Sequence, residues 1–164
     1  MTKISKVLEI ENCNKDDLIK AIYTTSLWEK ITPVQKIEVE FLAPNVLRSK
    51  IYDQIKVVNV PIEMETEMVL SDKGEEPEKG RLIELNIRNN DQVQKLEGRL
   101  RIKALSSTKS KVGIFIDTLI FTNDFLKLLG GTADMIFQLK ITDMLRKLQI
   151  FCKTRSLNEF LHNT

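Results

Sequence analysis

Three carboxylates, Glu63, Glu65 and Glu67, alternate with Met64, Thr66 and Met68 in the run VPIEMETEMVL, residues 60–70. Such a cluster would serve acid–base catalysis or metal binding. Strand periodicity argues against both, because it spaces the three along one face about 7 Å apart. That is too wide for one small ion without further ligands, and no nearby His supplies one. Arg48 and Lys50 on the preceding strand are placed to pair with them, so the carboxylates read as a solvent face. The opposite face carries Met64, Thr66 and Met68, a soft apolar surface with one small polar handle.

Other reactive groups are sparse. The single histidine, His162, stands third from the end, in a tail expected to fray. Nucleophile–base chemistry therefore lacks its usual base. No G-x-S-x-G, phosphate-binding glycine loop or Cys/His metal spacing occurs. Lys140 and Asp143 edge an apolar helical stripe and are the remaining acid–base candidates, each weighed against a snorkelling or solvent-paired role. Regular alternation puts Asp117 on one face with Phe115, Leu119 and Phe121. If buried there, its carboxyl must pair or rise in pKa; on an outer face it is ordinary. Cys13 and Cys152 lie in apolar contexts and read as free buried thiols, with their redox state open.

The elements that must position these groups follow from periodicity. Ile4, Leu8 and Ile10 favour one face of a first strand, residues 3–11. Asn14 reads as a helix N-cap, with Asp17 three residues on and Cys13 and Leu18 as a hydrophobic staple. The helical stretch breaks near Thr24-Thr25-Ser26 and ends at Thr32-Pro33. Leu27, Trp28 and Ile31 form the apolar side of its second part. From Val34 the period becomes two: Ile37, Val39 and Phe41 alternate with charge, Ala43-Pro44-Asn45 turns the chain, and residues 46–56 alternate again.

After residues 60–70, the stretch SDKGEEPEKG reads as an exposed hairpin loop. Residues 81–88 put Ile83, Leu85 and Ile87 on one face, and residues 93–105 do the same with Leu96, Gly98, Leu100 and Ile102. The last strand, VGIFIDTLIF, is apolar on both faces and is expected to be central or doubly covered. Asn123 or Asp124 caps a short helical lead-in, which Gly130-Gly131 separates from a long helix over 132–153. Ala133, Phe137, Ile141, Met144, Leu148 and Phe151 form its stripe. Met135, Ile136 and Leu139 make its first turns apolar nearly all round, so that end should be covered.

With 164 residues, 42% hydrophobic and 29% charged, the chain suits one soluble domain over 1–164. A net charge of +2 does not by itself imply nucleic acid, and no aromatic residues interleave with the basic ones. Lys140, Arg146, Lys147, Lys153 and Arg155 make the last helix basic, which suits a solvated face, or a transient contact with an anionic membrane surface, RNA or a partner protein. The opening MTKISKVLEIE lacks the apolar core of a signal peptide, and no run approaches 18 apolar residues, so a cytoplasmic protein is expected. Neither metal nor cofactor is expected. Monomer and homodimer both stay open.

The order strand, two short helices, six meandering strands and long C-terminal helix resembles the helix-grip fold of the START-like superfamily. LEGRLRIKAL, KVGIFIDTLIF and FLKLLGGTADMIFQLK are similar to its coenzyme-Q-binding and carbon-monoxide-dehydrogenase-associated branches, through Gly98, Thr118 and Gly130-Gly131. Polyketide cyclases belong to the same superfamily. The resemblance implies an α+β fold in which a curved seven-stranded antiparallel sheet grips the last helix around an apolar cavity for a lipid, quinone or polyketide-like molecule. Met64, Thr66, Met68, Phe41, Leu85, Ile87, Leu100 and Ile102 would line it from the sheet. Phe137, Lys140, Ile141, Met144 and Leu148 would line it from the helix, with Trp28 near the mouth. Binding or carriage of that ligand is the expected function. A small cyclase-like enzyme and an interaction module with a filled cavity are the alternatives.

Overall fold

The computed structural model describes residues 3–55 and 60–162, so the expected last residue of the 46–56 strand, Lys56, lies outside the described residues. Strand β1 (Ile4–Glu11) leads into helices α1 (Lys15–Ile22) and α2 (Thr25–Ile31). Then come β2 (Lys36–Ala43), β3 (Val46–Ile55), β4 (Val60–Glu76), β5 (Gly80–Arg88), β6 (Val93–Ser106) and β7 (Lys109–Phe121). Helices α3 (Asp124–Leu129), α4 (Gly131–Thr154) and α5 (Leu157–His162) follow. The seven strands form one antiparallel sheet in the order β1-β7-β6-β5-β4-β3-β2, so β1 returns to pair with the last strand and the meander supplies the rest. This is the α+β helix-grip arrangement that the resemblance implies.

Local chemistry sets the boundaries. Asn14 caps α1 by accepting the Asp17 amide at 3.1 Å, and Cys13 and Leu18 are both buried. Asn123, the first of the two candidates, caps α3 by accepting the Leu126 amide at 3.0 Å. Gly130 closes α3 and opens α4 at φ 54°, ψ −123°, a conformation essentially reserved for glycine. The break between lead-in and long helix is therefore a backbone requirement.

Four expectations are corrected. First, SDKGEEPEKG is not a loop throughout. β4 runs on to Glu76, and only Pro77-Glu78-Lys79 turns. A bulge at Lys73, ahead of Gly74 at φ 85°, resets the register, and Asp72 anchors it. Its carboxylate accepts from Arg81 at 2.8 and 2.7 Å and from the Gly74 amide at 2.9 Å.

Second, Asp117 does not share a face with Leu119 and Phe121. Glu97 pairs with Thr118 but Gly98 with Ile116, which leaves Asp117 as an extra residue on β7. The bulge reverses the alternation there: Ile114, Ile116 and Leu119 are buried, while Asp117 is exposed and bound to Arg99 at 2.7 Å. Gly98 is needed opposite, since a Cβ there would collide with the Phe115 carbonyl and lie 2.8 Å from Ile116 Cδ1.

Third, the tail is not frayed as far as His162. Ser156-x-x-Glu159 begins α5, the Ser156 hydroxyl accepting the Asn158 amide at 3.2 Å. Leu157 and Phe160 are buried, and Phe160 meets Phe151 edge-to-face at 5.0 Å. Fourth, the first turns of α4 are not fully covered: Met135 is 52% and Leu139 55% exposed.

The core lies on the concave face. α1, α5 and the second half of α4 pack one end of the sheet, where α4 lies along β1 and α1 along α5. Cys13 and Cys152 are buried there as free thiols; the neighbouring Cys13 thiol and burial push the Cys152 thiol up.

Phe160→Ala should cost about 3–5 kcal/mol by the loss of a buried ring, whereas His162→Ala should cost under ~0.5 kcal/mol; urea unfolding distinguishes them. Arg81 holds the Asp72 carboxyl below the usual range. Its stabilising effect is therefore present above the unfolded value of about 3.9 and is lost as pH falls through the folded pKa. Asp72→Asn should cost about 1 kcal/mol at neutral pH, and denaturation curves should show that difference closing in acid.

Candidate functional site

The first half of α4 does not press onto the sheet. Between its residues 133–144 and the concave faces of β2, β3 and β4 lies a pocket of about 280 Å³. Period two builds its floor: Ile37 and Val39 of β2, Ser49 and Ile51 of β3, and Met64, Thr66 and Met68 of β4 all point inward. Ala133, Phe137, Ile141 and Met144 form the roof at spacings of three and four, and Trp28 stands at one side. The Trp28 ring is fixed by its Nε1–H, which donates to the Ile22 carbonyl at 2.7 Å.

Of the residues expected to line a cavity, Trp28, Met64, Thr66, Met68, Ile87, Phe137, Lys140, Ile141 and Met144 do border this pocket. Phe41, Leu85, Leu100, Ile102 and Leu148 do not, and this corrects their assignment. Leu85, Leu100, Ile102 and Leu148 are buried in the packed end of the core, and Phe41 is half-buried beside it. The reason is geometric. A strand face carries one apolar pattern along its whole length, but the helices fill only one end of the concavity.

Charge enters at a single point. Lys140 Nζ lies 2.5 Å from Asp53 and donates to the Pro33 carbonyl at 2.7 Å, tying α4 to β3 and to the segment after α2. These are the only ionisable side chains bordering the pocket among the described residues, and each neutralises the other. The sequence flagged Lys140 but not Asp53, although alternation after Leu47, Ser49 and Ile51 puts Asp53 on the same inward face. Asp143 is exposed and away from the pocket.

The carboxylate row is on the outer surface. Arg48 binds Glu65 and also Glu40, the latter at 3.0 Å; Lys50 lies 3.6 Å from Glu63, and Arg88 3.2 Å from Glu67. Asn89, then Arg88, holds the Glu67 carboxyl below its ordinary range. A separate depression of about 390 Å³ borders these groups; Arg48 meets Glu65 there, and the Asp91 carboxylate accepts from the Glu65 amide at 3.4 Å. Among the described residues no three His, Cys, Asp or Glu side chains are grouped to hold a metal ion.

With this geometry in place, comparison with known proteins identifies the fold as START-like. The chain resembles a START superfamily protein from Mycobacterium smegmatis at a TM-score of 0.68 and 13% identity, over 93% of this chain and 97% of that one. A protein from Thermus thermophilus gives a TM-score of 0.69 at 14% identity, over 93% and 98%. An aromatase/cyclase from Streptomyces sp. R1128 gives 0.60 at 11%, over 96% and 92%. At these identities the likeness is one of fold. No protein-family model and no curated protein matches the chain.

Lys140→Met should cost about 1–3 kcal/mol, because it leaves Asp53, only 17% exposed, without its cation and Pro33 without a donor. Adding Asp53→Asn should recover part of that loss, and a double-mutant cycle by urea denaturation should read a favourable coupling between the two.

Proposed function

We propose that this protein binds and carries a small hydrophobic molecule in the pocket between α4 and the sheet, and that it does so in the cytoplasm. The observation that supports the reading is the pocket itself: about 280 Å³ bordered mainly by aliphatic, thioether and aromatic side chains. Methionines at Met64, Met68 and Met144 suit a surface that adapts to its occupant. Carriage is favoured over catalysis because Asp53 and Lys140 are committed to each other, which leaves no free acid or base bordering the pocket among the described residues. The two unbridged thiols at Cys13 and Cys152 suit a reducing compartment. No helix among the described residues is long and apolar enough to cross a membrane.

A polarity-sensitive naphthalene dye should bind the folded protein with a Kd on the order of micromolar, about −8 kcal/mol. Met64→Trp should partly fill the pocket, weakening dye binding at least ~10-fold while changing stability by less than ~1 kcal/mol, since empty space accepts volume that a packed core does not. The reading fails if the parent binds no dye and Met64→Trp costs ~1–3 kcal/mol, the behaviour of a solid core.

A further inference from the structure

Thr66 sits on β4 at the pocket floor and is 5% exposed, yet its hydroxyl has no hydrogen-bond partner among the described residues. Ser49, its cross-strand partner on β3, is 7% exposed and borders the same pocket. Buried hydroxyls are ordinarily satisfied, because an unmade bond forfeits the hydration lost on folding. The nearby Met64 and Met68 offer only weak thioether acceptors. Valine would fill the same space without that cost. The hydroxyl is covered from the pocket as it stands and reaches it by rotation about χ1, which exchanges it with the methyl group; the floor thus holds a donor without a partner among the described residues.

Size and charge narrow what would use it. A cavity of about 150 Å³ holds benzene, so about 280 Å³ corresponds to roughly a dozen non-hydrogen atoms. Among the described residues a carboxylate or phosphate group would find no free cation at the pocket, because Lys140 is held by Asp53 and the Pro33 carbonyl. A neutral oxygen acceptor fits both constraints.

Resting on the carrier reading above, we propose that the occupant is a compact, uncharged carbonyl compound, about two fused rings in size, whose oxygen accepts a hydrogen bond from Thr66 with Ser49 alongside. The probes are 2-acetylnaphthalene and 2-isopropenylnaphthalene, which have nearly the same shape and differ in C=O against C=CH2. Dissociation constants for both are measured by calorimetry on the parent, Thr66→Val and Thr66→Ser. Using the ratio of the two constants cancels their unequal transfer from water.

In Thr66→Val the ratio should move about tenfold against the ketone, the size of one desolvated hydrogen bond, with alkene binding unchanged. Thr66→Ser, which keeps the hydroxyl, should stay near the parent ratio. Thr66→Val should also melt no lower than the parent, since the hydroxyl holds no bond in the folded chain. An equal ratio in parent and Thr66→Val, with both probes still bound, overturns the carbonyl assignment and leaves carriage standing. Failure of the parent to bind either probe overturns both. A lowered or non-cooperative Thr66→Val melt would show that the hydroxyl has a structural partner, and would likewise sink the assignment.

Discussion

Covering the concave face of the sheet is the constraint on which the rest of this structure depends. Seven strands at a spacing of about 4.8 Å span roughly 29 Å, whereas one helix with its side chains is about 10–12 Å wide. A single C-terminal helix cannot bury that face alone, even with curvature. The chain meets the shortfall at one end with α1 and α5 beside the second half of α4, where Leu18, Ile102, Leu148 and Phe160 are nearly inaccessible. At the other end α2 and α3 flank α4 without filling the concavity, and the first half of α4 stands over a space. Packing at one end and vacancy at the other are consequences of the same mismatch in width.

The bulges belong to this constraint. At Asp117 an extra residue turns Leu119 and Phe121 inward after Ile114 and Ile116 have faced inward from the other parity. A regular strand would have placed either the first pair or the second in water. At Lys73 a second bulge lets β4 continue beyond the concavity, and Arg81 and Asp72 hold the re-registered hairpin from outside. Mouth contacts are similarly few and specific. Lys140 draws together α4, β3 and the segment after α2, so the helix above the pocket is tethered by polar bonds where apolar packing is thin.

Polar groups divide cleanly by face. On the convex side, charge meets charge at modest energetic value, as Glu63, Glu65 and Glu67 do with Lys50, Arg48 and Arg88. On the concave side, polar atoms are rare, and Thr66 is left unmatched. Alternation along β4 therefore separates an outer row of paired charges from an inner row that borders the pocket.

The sequence by itself determined the parts governed by local rules. Period two and turn residues placed the strands; Asn14, Asn123 and Gly130 set helix limits; alternation sent the three glutamates outward. It also contained the Ser156-x-x-Glu159 cap of α5, a signal that was legible and passed over because the segment is short. Only the tertiary structure decided what depends on register and on how far an element reaches. One unmatched residue at Asp117 inverts every side chain beyond it, and no composition rule announces such an insertion. Apolar residues such as Met64 and Leu100 carry the same pattern, yet one borders a pocket and the other lies in packed core. The pattern reports which face a residue is on, while the distance to the helix above that face is set by elements far away in the chain.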